Sequence, residues 1–274
     1  MSSVLSPLLL YLDRFMLGAA AGLTEVGYYA APMELVSRLV ILPPSFVTVL
    51  FPAVSAIAAM GNRPALVRLL GSSECGLALA LLPLTCALIA FAPAGLDWWL
   101  GPEFARQSAT VLRILALGLF VNALAYVPFS FVQALGRPEL TARFHLLEFA
   151  FHFPLTWVLV TRYGAVGAAA AWTTRVVVDA ALVTGAATTL VRLPPGRLVG
   201  RRTALVIVAG VGLLAALTAA SALRPVLAAL GSLAAGGAFA AFAWYGVLEP
   251  HERASARALL GTGRLVSAAG GPRC

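Results

Sequence analysis

Three stretches of this chain, Cys75–Leu96, Thr203–Leu223 and Val226–Leu248, run for more than 20 residues without one charged side chain. A bilayer's hydrocarbon core is about 30 Å thick, and a helix needs about 20 apolar residues to cross it. No water is available there to bond peptide groups, so a spanning segment must satisfy its own N–H and C=O groups, as an α-helix does. These stretches therefore read as transmembrane helices. Leu39–Gly61 and Ile114–Gly136, the latter with Arg113 at its edge, are nearly as clean. Three further spans carry charges: Val4–Leu23 with Asp13 and Arg14, Thr141–Val160 with Arg143, His145, Glu148 and His152, and Gly164–Val191 with Arg175 and Asp179. The chain reads as an all-α polytopic membrane protein of about eight transmembrane helices.

Composition agrees. Of the 274 residues, 61% are hydrophobic and 11% charged, and mean hydropathy is +0.92. A soluble domain carries about 25% charged residues, so this chain has too little polar side chain to cover a wet surface. The net charge of +8 raises the question of nucleic acid. All 19 basic residues are Arg, and they lie mostly between the apolar spans rather than in one stripe. That is the distribution of membrane topology, not of a footprint on a phosphate backbone.

With the N-terminus in the cytoplasm, twelve arginines fall in inner loops and the tail: Arg63, Arg68, Arg137, Arg143, Arg192, Arg197, Arg201, Arg202, Arg253, Arg257, Arg264 and Arg273. Three, Arg106, Arg162 and Arg224, fall in outer loops. Basic residues concentrate on the cytoplasmic side, so both termini are expected there. Trp98, Trp99, Trp157 and Tyr163 at the outer interface, and Trp244 and Tyr245 at the inner one, fit aromatic belts. The opening "MSSVLSPLLLYLDRF" has neither a basic start nor a cleavage site, so it is not read as a removable signal. Cys75, Cys86 and Cys274 make no disulfide or metal pattern; the first two are eleven apart on one expected helix, about 16 Å of rise, too far to bridge.

The longest basic loop, "VRLPPGRLVGRR", divides the chain. The expected units are a six-helix lobe over 1–192, an additional helix pair over 193–248 and a polar cytoplasmic tail over 249–274.

Depth ranks the ionisable residues, because a charge at mid-membrane costs about 2.5–3.5 kcal/mol on insertion scales. Arg175 and Asp179 are four apart on one helix face. They can form a local ion pair, or Arg175 can face a wet cavity and bind an anion while Asp179 tunes it. Asp13 and Arg14 are neighbours and point about 100° apart, so each needs a partner on another helix or in a cavity. His145, Glu148 and His152 share one face. The rest of the chain supplies no matching His or Cys cluster, so a metal site is not expected; a proton relay, a polar cavity wall or a polar stripe satisfied by the neighbouring helix is. Glu34 and Arg38 are four apart, as a rim salt bridge or a cavity mouth. Pro43-Pro44, Pro52, Pro83, Pro128 and Pro154 interrupt spans, and such breaks are tolerated where neighbours or a cavity satisfy the freed carbonyls. No nucleophile elbow, HExxH or P-loop is present, and the outer loop at Asp97–Arg106 is short, so neither an enzyme nor a bound cofactor is expected.

The stretch "YLDRFMLGAAAGLTEVGYYAAPMELVSRLVILPPSFVTVLFPAVSA" (11–56) resembles the start of the second half of bacterial polysaccharide flippases of the multidrug/oligosaccharidyl-lipid/polysaccharide exporter superfamily. The resemblance lies in Asp13-Arg14, Gly27-Tyr28-Tyr29 and Phe51-Pro52, followed in order by "LGPEF" (100–104), "FVQALGRPEL" (131–140) and "YGAVGAAAAW" (163–172). It implies the second lobe of a two-lobe exporter plus two extra helices, in a bacterial cytoplasmic membrane. The missing first lobe would mean a truncated gene, a misassigned start or a separate polypeptide that supplies it. The implied substrate is a polyprenyl-pyrophosphate-linked oligosaccharide for O-antigen, capsule or exopolysaccharide, and the implied partners are the glycan-assembly machinery. Arg14, Arg175 and Arg38 would contact the headgroup. Asp13, Asp179, Glu148, Glu34, His145 and His152 would couple an ion or orient those arginines. A multidrug and toxin extrusion-type antiporter and a peptidoglycan-precursor flippase are alternatives within the superfamily. A membrane glycan polymerase or ligase is the alternative outside it.

Overall fold

The structure is a computed structural model. It describes the backbone of residues 2–193, 200–250 and 252–253, and their side chains apart from 2–11, 40–42 and 225. The described residues form helices and no strand, which makes the chain an all-α polytopic membrane protein. Helix α1 (Ser2–Ala21) is followed by α2 (Leu23–Ser37), which passes through a 3-10 turn at Arg38–Ile41 into α3 (Leu42–Ala59). Then come α4 (Arg63–Leu100), α5 (Pro102–Ala134), α6 (Pro138–Val191), α7 (Arg201–Ser221) and α8 (Pro225–Phe242), which ends in a π-turn at Ala243–Val247. Among the described residues five helices are long and apolar enough to cross a membrane: α4, α5, α6, α7 and α8 with its π-turn. The 38 residues of α4 rise about 57 Å, well past the bilayer core, so part of α4 projects beyond it. Most of the polar tail, with Arg257, Arg264, Arg273 and Cys274, lies outside the described residues, as does Arg197 of the basic loop.

Helix α6 is two arms, 138–163 and 165–191, meeting at Gly164, whose φ of 55° and ψ of −132° are not helical. The arms fold back on each other. Glu148 and Arg175, which a straight helix would hold about 40 Å apart, have side chains 3.2 Å apart. Close approach depends on Gly167, where a Cβ would collide with the backbone carbonyl of Leu159 on the other arm. The break falls between the two expected spans, Thr141–Val160 and Gly164–Val191.

The second span needs correction. Its helix begins not near Leu39 but at Leu23, and Arg38–Ile41 is an internal 3-10 turn just before Pro43-Pro44. Hydropathy placed the start too late because Glu25, Glu34 and Arg38 count against a span. In the fold Glu25 and Glu34 are compensated, by the turn into the second arm of α6 and by Arg14 respectively. Glu34 is therefore well inside a broken helix.

Packing builds two apolar regions. One, around Leu17, Tyr29, Leu115 and Trp172, joins α1, α2, α5 and α6. The other, around Val54, Leu81, Phe131 and Leu213, joins α3, α4, α5 and α7. Helix α7 lies against α4, where the Cys86 thiol meets the Gly210 carbonyl at 3.4 Å; α8 packs on α7 at Gly231 and Ala220. Trp98, 89% exposed, and Trp99, Trp157, Tyr163 and Tyr245 all present open faces, as membrane-interface anchors do.

Candidate functional site

Two groups of ionisable residues inside this bundle are built on the first arm of α6. Since α6 turns by about 100° per residue, His145, Glu148 and His152 share a stripe, but the stripe divides. His152 faces α1; His145 and Glu148 face the second arm.

In the first group, Asp13 of α1 is 1% exposed and accepts a hydrogen bond from the Tyr29 hydroxyl at 3.3 Å through Oδ2. Its Oδ1 lies 3.1 Å from His152 Nε2. The Thr156 hydroxyl is 3.3 Å from His152 Nδ1, one turn further along. Tyr29, His152 and Thr156 are all buried. A buried carboxylate must be paired and hydrogen-bonded to be tolerated, and both oxygens of Asp13 have a partner. The adjacent Arg14 points elsewhere, as its 100° offset requires, and pairs with Glu34 of α2 at 3.4 Å. Of the two readings of Glu34 and Arg38, the rim pair does not form: Glu34 pairs with Arg14, and Arg38 sits exposed at the end of α2 with its backbone N–H on the Glu34 carbonyl.

The second group bridges the arms of α6. Glu148, 0% exposed, holds Arg175 Nη1 at 3.2 Å through Oε2, and its Oε1 is 3.8 Å from His145 Nδ1. Arg175 therefore bonds across the kink and not to Asp179 four residues on, the local pair that spacing allowed. Asp179 joins the cluster from the second arm: ligand atoms of His145, Glu148 and Asp179 lie within 4.8 Å of one another. Oδ1 of Asp179 and Oε1 of Glu148 are buried with no hydrogen-bond partner. A buried unsatisfied acceptor is costly, so these oxygens mark a place where a proton or a cation fits. No metal ligand set was expected from the stripe alone; Asp179 is the third donor that spacing along one helix could not supply. A pocket of about 200 Å3 opens beside the cluster, lined by Asn122, Tyr126 and Phe129 of α5 with His145, Arg175 and Asp179. At 1.5 Å per residue, Arg175 and Glu148 lie about 16 and 24 Å along their arms from the Gly164 turn.

Sequence reasoning missed four contributors. Tyr29 carries no charge to flag it. Asn122 and Tyr126 become polar lining only once α5 packs against α6. Glu25 fell between expected spans; its Oε2 accepts the Ala165 N–H at 2.8 Å, so it caps the second arm of α6, where a negative charge at a helix N-terminus is favourable. Arg113, at the edge of its expected span, gives its Nε–H to the Ile89 carbonyl at 3.2 Å and stays exposed.

Comparison with known proteins gives one likeness in fold and one in sequence. The fold is similar to that of the "Lipid II flippase MurJ, inward closed conformation", with a TM-score of 0.67 at 12% identity over 88% of this chain and 51% of that one. In sequence, the chain is similar to a protein of Shigella flexneri described as "Putative O-antigen transporter", 34% identical over 182 residues. That match takes in 66% of this chain and 43% of the transporter, so the chain spans less than half the length of the curated relative it matches. No protein-family model matches. The resemblance to bacterial polysaccharide exporters expected from Asp13-Arg14 and the motifs after it thus holds in sequence.

Proposed function

We propose that this chain is the ion-coupled second lobe of an exporter that moves polyprenyl-pyrophosphate-linked oligosaccharide across a bacterial cytoplasmic membrane, with both termini in the cytoplasm. The observation that carries this reading is the Glu148–Arg175 pair with Asp179 and His145, a charged cluster with its own pocket inside a membrane bundle. Ionisable groups at this depth are expensive and mark substrate or ion pathways.

A pyrophosphate leaving the headgroup region needs cationic partners, and a guanidinium offers its oxygens a two-pronged grip. Arg175 is that partner deep in the lobe; Arg14 and the exposed Arg38 extend the track. Glu148 competes with phosphate for Arg175. A proton or monovalent cation taken up by Glu148, Asp179 and His145 neutralises the competitor and frees the guanidinium. Uptake of the cation and binding of the pyrophosphate then strengthen each other, as linkage requires. Asp13 with His152, and Glu34 with Arg14, hold α1, α2 and α6 in register around this exchange. Helices α1–α6 (1–192) form the working lobe and α7–α8 (193–248) an addition packed on α4. A complementary lobe supplies the opposite wall, and rocking between the two exposes the headgroup on alternate sides.

The fold likeness to a lipid II flippase favours one second reading, a peptidoglycan-precursor flippase using the same cluster. Complementation separates the two. The chain, expressed with a complementary six-helix lobe, restores surface glycan to an O-antigen flippase-null strain on the first reading. Rescue of growth in a strain depleted of its peptidoglycan-precursor flippase, without surface glycan, selects the second. Rescue of neither overturns both.

A further inference from the structure

A second charged pocket, sharing no lining residue with the first, lies at the arginine-rich end of the bundle where α4 begins, α7 begins and the chain emerges from α8. It measures about 500 Å3 and is lined by Arg68, Arg201, Arg202, Thr203, Glu249 and Glu252, with Ile57 as apolar wall. Arg202 consumes both carboxylates: its Nη1 meets Glu249 Oε1 at 2.9 Å, its Nη2 meets Glu252, and its Nε donates to the Val247 carbonyl at 3.1 Å. Arg68 and Arg201 are exposed and make no ion pair among the described residues. Three guanidiniums against two carboxylates leave the pocket positive.

Two further observations fit an anion. Helix α7, 21 residues long, starts here with Gly200 at its N-cap and no side-chain cap. The first N–H groups of a helix lack intrahelical acceptors and sit at its positive end, where phosphates bind. Within that first turn Thr203 is 3% exposed, and its hydroxyl has no hydrogen-bond partner. A buried hydroxyl without a partner is uncommon; this one belongs to a residue that lines the pocket.

We infer that this pocket binds the phosphodiester headgroup of an anionic phospholipid, through Arg68, Arg201 and the amino end of α7. The pocket pairs its charged lining with an apolar wall of Ile57, Val67 and Leu69, as a lipid requires and a soluble phosphate does not. Because α4, α7 and the segment after α8 all border it, the lipid ties the α7–α8 pair to the lobe. The inference is independent of the glycan assignment.

The test is native mass spectrometry of the full chain in detergent, titrated with phosphatidylglycerol or phosphatidylcholine. Each arginine near a membrane surface gains about a factor of five from an anionic lipid. The R68Q/R201Q variant therefore binds phosphatidylglycerol about 30-fold more weakly, with phosphatidylcholine unchanged. R68K/R201K keeps the binding, T203V weakens it, and R224Q, in the loop at the opposite ends of α7 and α8, leaves it unchanged. Wild-type affinity in R68Q/R201Q, or an equal loss in R224Q, overturns the inference. Displacement of the lipid by millimolar inorganic phosphate or pyrophosphate overturns the lipid assignment in favour of a soluble anion. Displacement by substoichiometric polyprenyl pyrophosphate overturns it in favour of the exporter's substrate.

Discussion

Glu148 ties the two arms of α6 together through Arg175. It is fully buried and carries Arg175 from the other arm of α6. Removing one partner of a buried pair leaves an uncompensated charge, a cost of about 3–5 kcal/mol, whereas removing both costs much less. SDS-unfolding titrations should therefore show E148A destabilised by about 3 kcal/mol and E148A/R175A recovering more than half of that loss. A double variant as unstable as the two single losses added together would rule the pair out. On the other side of the stripe, Y29F removes the donor to Asp13 Oδ2 and should cost about 1.5 kcal/mol, since hydrogen bonds to charged groups are the stronger kind. The presence of costly charges at Asp13, Glu148, Arg175 and Asp179 was legible in the sequence, because depth follows from hydropathy. Their partners were not. Spacing along one helix offered Arg175–Asp179 and Glu34–Arg38, and the fold chose Glu148 and Arg14 across helices, a selection made by packing that leaves no trace in local periodicity.

At the scale of elements the kink in α6 does the positioning. Gly164 has a φ that L side chains rarely adopt, and a Cβ there would lie 2.5 Å from Glu25 Oε2. G164A should therefore both strain the backbone and dislodge the cap, at about 2 kcal/mol or more. Two buried glycines make a sharper comparison. A Cβ at Gly167 would strike the backbone of Leu159, which cannot move aside; one at Gly210 would strike the side chain of Leu82, which can. G167A should accordingly lower the melting temperature several times more than G210A, and equal effects would mean that the two arms of α6 are not packed as described. The sequence disclosed the spans and the break between Thr141–Val160 and Gly164–Val191. It misplaced the start of the second span, because a hydropathy window charges Glu25 and Glu34 as exposed ions when each has a partner on another element.

For the whole molecule, the arginine-rich ends of α4 and α7 and the glycine turns at Gly101 and Gly164 define opposite faces. The proposed orientation places the first in the cytoplasm. Single cysteines at Asn62 and Glu103, at the two ends of α4, should react with an impermeant thiol reagent from opposite sides in intact cells: Glu103→Cys from outside, Asn62→Cys only after lysis. The reverse pattern would invert the topology. The class of protein was legible from composition and from the ordered motifs after Asp13-Arg14. The meeting of α1 with the first arm of α6, and of that arm with the second beside α5, was not, since it depends on contacts between residues far apart in sequence, such as Asp13 and His152.

The central claim is that Glu148 and the substrate's phosphate compete for Arg175, with cation uptake deciding between them. The most direct measurement is the affinity of the full chain in nanodiscs for polyprenyl pyrophosphate, compared among wild type, E148Q and R175Q. E148Q mimics the neutralised carboxyl, so it should bind roughly 5- to 150-fold more tightly, the usual range of such coupling, while R175Q should bind more weakly than wild type. Equal affinity in all three would contradict the account.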